Sequence, residues 1–201
     1  MQFFSTQKSA LESALYYASH GYKVFPCFYN KNVDGTKGRF SPFCKFGYKA
    51  ATTDPAKIRE WWTTFQNAAI GISTGAESGL LAVTIDKKGD FLAKTPCYIN
   101  NFSEKTYFFK YPKNEKIGCE RIENFQFEGE STFIVVPPSA GYEKGDYEIE
   151  ILADGDLAEV PVELLKKIKE IEATKRTLSE ILVDFHEIAE EVPAEVLVQQ
   201  E

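Results

Sequence analysis

The residues of this chain best placed to do chemistry sit at the end of an apolar strand pattern. Asn67–Asp86 reads as two strands, Ile70–Ser73 and Leu80–Asp86, joined by a Gly-rich turn, and the second ends on a carboxylate. Asp86 at the end of a buried strand is a candidate ligand for a divalent metal. A different chemistry is written into Lys31–Lys49, where Lys31, Lys37, Arg39, Lys45 and Lys49 face the single acid Asp34 and interleave with Phe40, Phe43, Phe46 and Tyr48. Cations beside stacking aromatics suit single-stranded nucleic acid. Lys37, Arg39, Lys45 and Lys49 would meet the phosphates, with Phe40 and Phe43 meeting the bases. A surface loop that tucks its aromatics into the core explains the pattern equally well.

Composition bounds what these residues belong to. With 201 residues, 43% hydrophobic and 14% aromatic, the chain can build one sizeable core plus a helical appendage. It has no apolar run of about 18 residues, so no membrane span is expected. The start Met-Gln-Phe-Phe-Ser-Thr lacks a secretory signal, which leads to a cytoplasmic expectation. Cys27, Cys44, Cys97 and Cys119 form no CxxC and read as reduced thiols rather than a zinc site. A net charge of −7 argues against a surface wholly devoted to nucleic acid, though a local basic patch can still steer a phosphate backbone.

The elements that must position these residues follow from periodicity. Gln7–His20 carries Ala10, Leu11, Ala14, Leu15 and Ala18 at helical spacing, stopped by Gly21. Lys23–Phe28 reads as a first strand and 30–49 as a long loop. Asp54 caps a helix with Pro55 at its first position, and Ile58, Trp61, Trp62 and Phe65 form its core face. Lys105–Tyr111 is an alternating aromatic strand. Phe125–Glu128 and Thr132–Val136 read as a hairpin around Gly129, and Tyr147–Leu152 as a last strand with one wet face. Pro161 opens a helix striped by Leu164, Leu165, Ile168 and Ile171. Thr177 and Glu180 form a capping box for a final acidic helix. These elements imply a mixed α+β domain over 1–172 and a helical tail over 173–201.

Three blocks, Ala51-Thr-Thr-Asp-Pro-Ala-Lys-Ile-Arg-Glu-Trp-Trp62, Ile70–Leu81 and Phe133-Ile-Val-Val-Pro-Pro-Ser139, together resemble the bifunctional DNA primase-polymerase (prim-pol) family. Leu157–Ile168 is similar to the helix that closes that domain. The resemblance covers about Ala10–Ile168 and implies a mixed sheet flanked by helices. It also implies a template-directed nucleotidyltransferase using two magnesium or manganese ions. The family ends its metal strand with two acids one residue apart, and Thr84 and Asp86 stand there. Its Gly-rich basic loop falls on Asn101-Phe-Ser-Glu104, its histidine on Thr106 and its third acid on Gln126. Bare backbone N–H groups approach phosphate where side chains do not, so Phe102 and Glu104 would obstruct that ligand. Neither His20 nor His186 lies near these blocks.

The resemblance therefore implies a degenerate domain with no cofactor, Asp86 being the one family acid retained. A compensated site stays open. On a regular strand Gln126, Glu128 and Glu130 share a face at about 6.6 Å per pair, so Glu128 could join Asp86 as a metal ligand. The preferred reading makes Glu128 and Glu130 turn residues beside Gly129. Three functions result: an inactive module of a replication protein from a mobile element, binding single strands or, through its C-terminal helix, a replication helicase; an active enzyme with a rearranged metal site; or a structural scaffold.

Overall fold

The computed structural model describes residues 2–5, 9–34, 36–85, 94–122, 125–141 and 145–175. The chain divides into two units between Pro161 and Val162. The first unit is a mixed α+β domain of two antiparallel sheets with helices, and the second begins with helix α3 (162–175). The final helix expected from Thr177 lies outside the described residues.

Helix α1 spans Ala10–Ser19, and Ser9 caps it by accepting from the Glu12 amide at 3.2 Å while its hydroxyl donates to the Glu12 carboxylate at 2.8 Å. Helix α2 spans Pro55–Thr64 behind the Asp54 cap, whose carboxylate accepts from Ala56 N at 2.9 Å. Ile58, Trp61 and Trp62 on its inner face are all buried. Apolar spacing made both helices legible, and α2 added a cap and a proline.

One sheet has the order β2-β1-β3-β9, built from β1 (Val24–Asn30), β2 (Arg39–Pro42), β3 (Ala69–Ser73) and β9 (Phe133–Val136). The other has the order β10-β5-β6-β4-β8-β7. It is built from β4 (Leu80–Ile85), β5 (Cys97–Asn100), β6 (Lys105–Lys110), β7 (Cys119–Ile122), β8 (Phe125–Glu128) and β10 (Ile149–Ala153). Every pairing between these strands is antiparallel. No described helix is long and apolar enough to cross a membrane.

Two expectations are corrected. Residues 30–49 are not one long loop: β2 pairs with β1, setting Tyr29 opposite Phe40 with ring centroids 5.0 Å apart, and a 3₁₀ turn follows at Gly47–Ala50. Gly38 makes that return possible, because a Cβ there would lie 1.9 Å from the Asn30 carbonyl oxygen. The Phe125–Val136 hairpin also does not form, since β8 pairs with β4 and β7 while β9 pairs with β3 in the other sheet. Gly129 is needed for close approach instead. Its N–H donates to Gly118 O at 2.9 Å, and a Cβ there would meet Ile117 O at 2.2 Å.

The chain crosses between the sheets three times, from β3 to β4, from β8 to β9 and from β9 to β10. The first two crossings lie side by side: Thr74 N donates to Thr132 O at 3.1 Å, and Ala76 N donates to the Glu130 carboxylate at 3.1 Å. Between the sheets the core centres on Phe108, fully buried against the rings of Phe3, Phe4 and Tyr98 at 4.8, 5.5 and 5.6 Å. None of the four cysteines forms a disulfide, and burial pushes the Cys27 thiol well up. The second sheet buries its opposite face too, through Leu81, Val83, Tyr107, Phe109 and Phe127.

Candidate active-site cleft

The strand register gathers the residues that the sequence scattered. One row crosses the six-stranded sheet through consecutive pairings Tyr98–Thr106, Thr106–Thr84, Thr84–Gln126 and Gln126–Arg121. Directly opposite residues of an antiparallel sheet share a face. Three of the four positions at which the resemblance places an acid or a histidine, Thr84, Thr106 and Gln126, therefore stand side by side. They line a cavity of about 190 Å³ between this sheet and the β2–β9 sheet.

The chemistry inside is largely neutral. The Thr84 and Thr106 hydroxyls lie 2.9 Å apart, hydrogen-bonded to each other and buried. The Tyr98 hydroxyl donates across the gap to Val135 O at 3.1 Å, tying the two sheets together. Burial raises the Tyr98 phenol well above its ordinary range and pushes Tyr147 up to about 12.

Glu128 is the exception. It is the last residue of β8, opposite Ala82, and only 4% exposed. It is thus a strand residue on the Gln126 face, and the turn reading is corrected for it. Gly129 hid this because a glycine after a short strand reads as a turn. Glu130 does lie outside the strand, and its carboxylate holds Ala76 N instead. Gln126 Nε2 donates to Glu128 Oε1, while Oε2 has no partner among the described residues. Burial pushes the Glu128 carboxyl up to about 8; the Gln126 hydrogen bond, Lys37 and Arg121 pull it down, and Glu104 pushes it further up. Its neutral form predominates at neutral pH.

At the cleft mouth Glu104 gathers the nearby donors. Its carboxylate accepts from Lys37 Nζ, from Asn100 Nδ2 at 2.8 Å and from Arg121 at 3.2 Å. Asn100 Oδ1 in turn accepts from the Phe102 and Glu104 amides, shaping a tight turn with Ser103 at φ 65°. Residues 101–104 therefore close a β5–β6 hairpin, and two of the cleft's cations, Lys37 and Arg121, are already held by a carboxylate. Replacing Glu104 with alanine should cost about 2 kcal/mol of stability, mostly through Lys37 and Asn100 left without their charged acceptor. Arg121 is 60% exposed and contributes little to that loss. Urea denaturation checks this, and a loss under about 0.5 kcal/mol would mean that the cluster is merely solvated.

The remaining sequence-expected residues are spread out. Arg39 lines the cleft, Phe40 packs on Tyr147 at 4.8 Å, Phe43 stacks on Phe65, and Lys45 and Lys49 are exposed. Asp86 lies outside the described residues. Sequence reasoning missed Arg121, Tyr98 and Asn100 as cleft residues, because Cys97–Asn100 and Cys119–Ile122 are four-residue strands without a clear alternating pattern. Among the described residues no three His, Cys, Asp or Glu side chains converge to hold a metal ion. Two divalent ions need several ionised ligands. The described residues of this row, one carboxyl that favours its proton, two hydroxyls and an amide, do not by themselves fit them.

The Prim-Pol family model, described as bifunctional DNA primase/polymerase, N-terminal, matches residues 14–163, about three quarters of the chain. A search of curated proteins finds no match.

Proposed function

We propose that this chain, which belongs to the bifunctional DNA primase/polymerase N-terminal family, is a degenerate copy that has lost nucleotidyl transfer. It serves instead as a nucleic-acid- or partner-binding module of a replication protein carried by a mobile element. One observation carries the reading. The sheet row that holds Thr84, Thr106 and Gln126 presents hydroxyls and an amide, and the carboxyl beside it favours its proton. Metal-assisted phosphoryl transfer needs preorganised negative charge to hold the ions that stabilise the transition state. The Glu104 cluster also engages Lys37 and Arg121, two of the cations that would meet a triphosphate.

The expected result is no product in primer-extension and de novo priming assays, with manganese or magnesium. Robust product that disappears in Asp86→Ala would overturn the reading.

A second reading has one observation in its favour, the strand position of Glu128. An active enzyme with a rearranged metal site would use Glu128 with Asp86, a residue outside the described set. Binding is readable without activity: manganese at about pH 8 would then raise the melting temperature of the wild type and leave Glu128→Gln unmoved. Flat melting curves in both would remove this alternative.

A further inference from the structure

We infer that single-stranded nucleic acid docks outside the cleft, with a base on Phe28 and Phe43 and the adjoining phosphates on Lys45 and Lys49. This rests on the nucleic-acid-binding reading above and says where that binding occurs. A separate cavity of about 540 Å³ opens beside β1 and the end of α2, lined by Phe28, Phe43, Phe65, Gln66 and Asn67 among others. Phe43 stacks on Phe65 with centroids 4.4 Å apart and planes 11° apart, and Phe28 leans on Phe43 at 4.7 Å. The stack is not hidden, because Phe28 is 37% and Phe43 40% exposed. Aromatic faces held in place by their neighbours take a flat ligand with little ordering cost.

The ligand class follows from what surrounds the stack. Gln66 and Asn67 on the rim are exposed, and their amides have no hydrogen-bond partner among the described residues, leaving donor and acceptor groups that suit base edges. The basic loop splits in two. Lys31 is held by Asp146 at 2.6 Å and Lys37 by Glu104, so neither offers a free charge. Lys45 and Lys49 lie within a few residues of Phe43, are exposed, and have no ion-pair partner among the described residues. Lys45 rests only over the Phe46 ring at 5.7 Å, and Phe46 itself is 67% exposed. Exposed stacking rings, free amides and unneutralised lysines within one short stretch match the combination that binds single strands. The edge strand β2 then runs from Pro42, next to Phe43, to Arg39 on the cleft rim, a span of about 10 Å.

The test is fluorescence anisotropy with a labelled oligothymidine across a salt series. Phe43→Ala should weaken binding by about five- to hundredfold, the range for losing one stacked base. Phe43→Trp should retain binding and so guards against simple misfolding. Lys45→Glu with Lys49→Glu should flatten the log–log salt slope by about 1.4 units. Lys37→Gln should bind like the wild type. If Lys37→Gln abolishes binding while the Phe43 and lysine variants keep it, the strand lies in the cleft; this inference then fails and the nucleic-acid reading survives. A wild type that ignores the oligonucleotide at low salt overturns both.

Discussion

Glu128→Gln should leave stability nearly unchanged at about pH 5 and raise it by on the order of 4 kcal/mol above about pH 8. The sign follows from proton counting. The folded chain keeps the Glu128 proton up to about pH 8, whereas the unfolded chain releases it near the ordinary carboxyl value of about 4.5. Between those values the native state binds more protons, so wild-type stability falls as pH rises through that window. Glutamine has the shape of the protonated acid and can still accept from Gln126, but it has no proton to lose. The difference between the two profiles therefore isolates this one group from the rest of the acidic chain. Urea denaturation at several pH values reads it directly. Parallel profiles would mean that Glu128 is solvated in solution.

Phe108→Ala should cost about 3–5 kcal/mol, a large part of the stability a domain of this size commonly has. The ring is fully buried between the two sheets and touches three other aromatics from two separate parts of the chain. Removing it leaves a cavity that neither sheet can close without moving against the other. Phe108→Leu should lose clearly less, because most of the volume remains. A loss below about 1 kcal/mol for alanine, measured by chemical denaturation, would show that the sheets do not share this core.

The parts of the fold that sequence revealed are those with redundant local signals. Helix α2 carried a cap, a proline and an apolar face, and β3 and β4 were apolar runs bracketed by glycines. Strands β2, β5 and β7 have only four residues each. They owe their pairing to partners elsewhere in the chain, which no local pattern reports. The site divides in the same way. Thr84, Thr106 and Gln126 came from family resemblance, and strand register explains why such distant positions belong together. The Lys37–Glu104 ion pair joins residues 67 apart in sequence. It turned a lysine expected to hold phosphate into one already held by a carboxylate. Glu128 was misread because its burial is a property of the sheet and not of the Gly129 that follows it.

Three crossings lace the two sheets together, and they do not share one side of the cleft. The stitched pair, β3 to β4 and β8 to β9, lies beside Leu80 and Glu128. The third, β9 to β10, returns past Asp146 and Tyr147 beside the Asn100–Glu104 turn, where Asn101 N donates to Glu148 O at 3.1 Å and Lys31 pairs with Asp146. The cleft is therefore laced at both ends, like a shoe, and Tyr98 adds a stitch between them through Val135 O. Salt weakens the partly exposed Lys37–Glu104 pair and leaves the backbone lacing intact. Ionic strength consequently frees charge at the cleft mouth without parting the sheets.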